Sequence, residues 1–90
     1  MTPRSSGDQQ QGEQASQALI EALNLARSTE DEEGEGNADL DLAEVDLRQD
    51  RVEQALLDAQ AALEAYTMGY NDQGIADAKR LLEALHHLEN

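Results

Sequence analysis

Ala15, Ala18, Leu19, Ala22, Leu23 and Ala26 recur at three- and four-residue intervals, the spacing of one helix face, and predict a first helix over 14–27. The pattern resumes over 41–67 with a near-heptad seam of Leu42, Val45, Val52, Leu56, Ala59, Leu63 and Tyr66, in which Gln49 is the polar intruder. A last helix is expected over 72–88, burying Ile75, Ala78, Leu81, Leu82, Leu85 and Leu88. Between the last two, Gly69 suits a left-handed C′ position and Asn71 or Asp72 can cap the next helix. Gly74 falls in the first turn of that helix and weakens it slightly.

A connection this short makes the two long helices antiparallel neighbours. The fold class that follows is all-α: an antiparallel helical hairpin plus a shorter N-terminal helix. Two arrangements remain open, a three-helix bundle in one chain or a four-helix core completed by dimerisation. Residues 1–13, rich in Gln, Ser and Gly, read as a disordered tail. Residues 14–90 read as one small helical domain, interrupted by an acidic, Gly-containing linker at 28–38.

Around the expected long helix, a second and weaker apolar stripe runs away from the main seam through Leu47, Leu57, Ala61, Ala65 and Met68. A helix apolar on two sides takes neighbours on both, so these five residues are the expected partner-binding surface. The hairpin of residues 51–88, with small residues across the pair and Gly69-Tyr70 near the turn, loosely resembles one helix-turn-helix repeat of the tetratricopeptide type. The resemblance covers a single repeat and implies no particular activity.

Composition sharpens this picture. The chain has 90 residues, no Cys, no Phe and no Trp, and its two Tyr stand close together at Tyr66 and Tyr70. A core built largely from Ala buries little apolar area, and disulfides cannot reinforce it. Association with a second copy or another protein is the expected remedy. No apolar run approaches the ~20 residues of a membrane span, and a cytoplasmic protein is expected.

The net charge of −14 is concentrated. Nine acidic and no basic side chains lie between Ser28 and Leu47. The expected acidic surface comprises Glu30, Asp31, Glu32, Glu33, Glu35, Asp39, Asp41, Glu44, Asp46 and Glu53. Such a charge repels nucleic acid and anionic lipid, so neither is an expected direct partner, whereas a basic protein is.

Candidate chemistry is sparse. Asp31, Glu33, Glu35, Gly36 and Asp39 fall at positions 1, 3, 5, 6 and 9 of a calcium-loop pattern, but position 12 is Leu42 where a bidentate Glu is required. Glu83 and His86 have the Glu-x-x-His spacing of di-iron bundles, with Glu53 and Glu64 able to face them, yet His86 stands four residues from the last residue. No Ser has a recognisable catalytic setting, and the Gly34-Glu35-Gly36 stretch is too acidic to cradle phosphate. No catalytic residue, metal site or cofactor is expected.

Two functions fit. In the first, the protein is a non-catalytic helical adaptor, small subunit or chaperone-like module that binds a protein partner, or itself as a dimer, through an apolar helix seam. In the second, its carboxylates imitate nucleic-acid phosphates and occupy the groove of a basic nucleic-acid-binding protein, with Asp46, Asp50, Glu53 and Glu64 extending the stripe. That reading needs fixed charge spacing, which a flexible linker does not supply.

Overall fold

A computed structural model describes residues 4–89, with side chains from Glu13 to Leu88. Four helices make up these residues: α1 (Arg4–Ser28), α2 (Glu32–Arg48), α3 (Val52–Met68) and α4 (Asp72–Glu89). Of the tail expected over 1–13 to be disordered, residues 1–3 lie outside the described residues and the backbone from Arg4 onward belongs to α1, which starts before the expected position 14.

The acidic linker expected at 28–38 is mostly helix. Asp31 caps α2, its Oδ1 accepting from the Gly34 amide at 3.0 Å. Glu32, Glu33 and Glu35 then occupy the first turn, where the positive end of the helix dipole favours carboxylates. Mutual repulsion and two glycines argued for a coil, but the cap, the dipole and the burial of Gly36 and Ala38 outweigh them.

The single helix expected over 41–67 is two. It breaks at Gln49–Arg51, where Asp50 takes a left-handed conformation at φ 61°. Val45 and Val52 stand seven apart, so the apolar seam reads straight through a chain reversal. Gln49, the polar intruder, is the C-cap of α2.

Three turns of one design join the helices. Left-handed residues stand at Glu30, Asp50 and Tyr70, twenty positions apart. At each, the next amide reaches back five residues: Asp31 to Ala26, Arg51 to Asp46, and Asn71 to Tyr66. The left-handed residue itself bonds three back, to Arg27, Leu47 and Thr67. This is the Schellman pattern, built here without a left-handed glycine. Tyr70, not Gly69, takes the C′ position, while Asn71 caps α4 as expected by accepting from the Gly74 amide at 3.1 Å.

The regular spacing exposes an internal repeat of forty residues. Glu13-Gln14-Ala15 and Ala22-Leu23 in α1 recur as Glu53-Gln54-Ala55 and Ala62-Leu63 in α3. Gly34, Ala38 and Leu42 in α2 recur as Gly74, Ala78 and Leu82 in α4. The molecule is therefore two stacked helical hairpins, each too small to bury its own apolar face.

α2 lies between α1 and α3, and α4 closes on α3. α2 and α4 touch only lightly, and among the described residues α1 meets neither α3 nor α4. The result is a slab of 49 × 33 × 17 Å, about two helix layers thick. Its core is a row of small clusters: Leu23 with Ala38 and Leu42; Ala43, Ala55 and Ala59 with Leu85; and Ala62 and Ala78 around Tyr66. Leu88, expected in the core, is exposed at the end of α4, as are Ala18 and Ala22 on the outer side of α1.

Candidate functional site

Tyr66 organises the junction of α2, α3 and α4. Its ring is 2% exposed and lies between the backbones of Gly36 and Gly74. A Cβ at Gly36 would stand 2.7 Å from the ring, and one at Gly74 would be closer still. Both glycines sit inside helices, where they weaken the helix; here they let two backbones rest on an aromatic face. The Tyr66 hydroxyl donates to Asn37 Oδ1. Burial and the charges of Asp41, Asp77, Glu33 and Asp39 raise its pKa, so it remains a neutral donor.

Two residues of the expected acidic surface are not on the surface. Asp39 is 2% exposed and Asp46 is 5% exposed. Both lie on the side of α2 covered by its neighbours, which the expected solvated linker and single long helix left open. Asp58 on α3, which the sequence did not single out, stands close enough to Asp46 for the two carboxyls to influence each other. Burial, then the Asp46 hydrogen bond and the charges of Asp46 and Asp39, push the Asp58 pKa up to about 7, against a lowering by Gln54. Burial pushes Asp39 up to about 6, with Arg27 lowering it and Glu35 raising it further. The Arg27 guanidinium is bonded to Glu35 instead, at 3.3 Å, and Asp39 Oδ2 is buried without a hydrogen-bond partner. A carboxyl that burial holds neutral, as at Asp58, can stand beside a second carboxyl in a core.

The remaining acidic residues are spread along the outside. Glu30, Asp31, Glu33, Asp41, Glu44 and Glu53 are exposed, and Glu32 and Glu35 are half-buried. Their spacing along α2 is that of a helix, not of a flexible run.

The five residues of the second apolar stripe separate. Leu47 belongs to α2 and packs against the central Ala cluster, and Ala65 is buried in α3. Leu57, Ala61 and Met68 stay together on one face of α3, with Leu57 61% and Met68 66% exposed. Beyond Met68, the Tyr70 side chain stands in solvent at the α3–α4 turn.

A groove of about 350 Å³ separates α2 from α4. Leu40, Leu81 and Ala84 contribute apolar surface to it, and Glu44, Asp77 and Arg80 contribute charge.

The calcium-loop pattern has no loop, because positions 32 onward form α2. Glu83 and His86 are exposed on α4. Among the described residues no group of three or more His, Asp or Glu converges as metal ligands would, and no helix is long and apolar enough to cross a membrane. Set against known protein families, curated proteins and solved structures, the chain matches none of them.

Proposed function

We propose that this protein is a non-catalytic helical interaction module that holds a protein partner against the outer face of α3. One observation carries the reading: after four helices have packed, Leu57 and Met68 remain uncovered on the same face, with Ala61 between them. Two large apolar side chains in register along one helix form an anchor pattern for a partner helix. The acidic surroundings keep the module soluble while that face is empty. A photo-crosslinking amino acid at position 57 or 68, in an extract of the native host, should capture a discrete protein. The same group at Glu21, exposed on α1, should not. Equal capture at all three positions, or at none, would defeat this reading.

A second reading is favoured by the helical order of residues 32–48. Glu33, Asp41 and Glu44 hold fixed positions on exposed α2, so an imitation of nucleic-acid phosphates has the rigid spacing it needs. Capture from position 41 or 44 of a nucleic-acid-binding protein, abolished by about 0.5 M salt, would select it.

A further inference from the structure

We propose that the groove between α2 and α4 is a second docking site, for a basic amphipathic helix of a partner protein. Leu40 of the lining packs against the cluster of Ala62, Tyr66 and Ala78. The Tyr66 ring fills the space beneath Gly36 and Gly74, and α2 and α4 run past it in the same direction with little contact. What is left open, about 350 Å³, is the size of a few aliphatic side chains, at the small end of ligand pockets. The apolar lining of Leu40, Leu81 and Ala84 suits such side chains.

Charge selects the occupant. Glu44 stands on the α2 wall and Asp77 on the α4 wall. Arg80 is the one cation of the lining, and it is paired with Asp77 at 3.7 Å. Two carboxylates against one guanidinium leave the lining acidic, which disfavours a second copy of a chain that itself carries −14 and attracts Lys and Arg. A helix with an apolar stripe and basic flanks meets both conditions.

This site is independent of the α3 face. The groove is lined by α2 and α4 alone, so it shares no residue with the Leu57–Met68 stripe of α3.

The test uses a labelled helical peptide of about 18 residues, five helical turns, made of Leu and Lys, with a Leu–Glu twin as control. Fluorescence anisotropy against the whole protein should show saturable binding of the basic peptide and none of the acidic one. Glu44→Lys with Asp77→Lys should weaken binding by about tenfold or more. Ala84→Trp, at an exposed position, should block the groove, whereas Leu57→Asp should leave binding unchanged. On unmodified protein, amide NMR shifts should concentrate at Leu40, Leu81 and Ala84 and spare Leu57 and Met68. Wild-type affinity in Ala84→Trp would overturn the proposal, as would equal binding of the acidic peptide or shifts centred on Leu57. Loss of binding in Leu57→Asp would instead move the basic partner to the α3 face.

Discussion

The aromatic ring of Tyr66 on α3 lies directly on the backbone of Gly74 on α4, in a space no larger side chain could share. Gly36 makes the same contact from α2. One aromatic residue thus sets the separation of two helices, and the positions it faces must lack a Cβ.

This reverses the usual effect of Gly→Ala in a helix. An exposed helical site gains up to about 1 kcal/mol from the change. Gly74→Ala and Gly36→Ala should instead destabilise by about 1–3 kcal/mol, because the ring has no free volume to move into. Urea unfolding measures both; an increase in stability at either position would refute the ring-on-backbone account. Tyr66→Phe, which removes only the bond to Asn37, should lose about 0.5–1.5 kcal/mol.

The buried carboxyls make stability fall as pH rises. Asp39 and Asp58 ionise near pH 4 in the unfolded chain but are pushed up to about 6 and about 7 in the fold. Between those values the folded state binds more protons, so its stability is full below pH 4 and is lost as pH climbs through 6 and 7. With the solvent-facing edge of Asp58 discounted, the loss should be on the order of 3–5 kcal/mol. The melting temperature should drop from pH 4.5 to pH 7.5, and Asp58→Asn should flatten that slope. A melting temperature that rises over the same interval would contradict the raised Asp39 and Asp58 pKa values.

Arg51 is the weak cap of the repeat. Asp31 and Asn71, which open α2 and α4, both accept a backbone hydrogen bond, whereas Arg51 opens α3 with no side-chain cap. It also sets a cation at the positive end of a helix dipole. Arg51→Asn should stabilise the protein by about 0.5–1 kcal/mol in thermal unfolding, and no gain would show that the α2–α3 turn is held by packing alone.

Tyr70 is left-handed at φ 56° and 89% exposed. An L-residue there is strained, and glycine is not, so Tyr70→Gly should raise stability by about 1 kcal/mol. If the same change also reduces crosslinking from position 68, the strained ring belongs to the partner surface. Unchanged crosslinking would leave Tyr70 outside it.

The sequence by itself determined the helical character of the chain, the cap at Asn71 and the inward seam of Val52, Leu56, Leu63 and Tyr66, because these depend on neighbours within a turn or two. The forty-residue repeat was present in it too, as Gly34 and Gly74, Ala38 and Ala78, Leu42 and Leu82, though most other paired positions differ. Tertiary structure decided the rest. A heptad seam reads the same whether the chain continues or reverses, so the break at Asp50 was invisible until α2 and α3 were seen packed side by side. Asp39, Asp46 and Asp58 look like any other carboxylates of an acidic chain; only the helices laid over them take them out of water. Gly36 and Gly74 look like helix breakers, and become fixed points of the fold only because Tyr66, from a different helix, arrives above them. Local sequence sets which backbone states are low in energy, whereas burial and contact are properties of what comes from elsewhere in the chain.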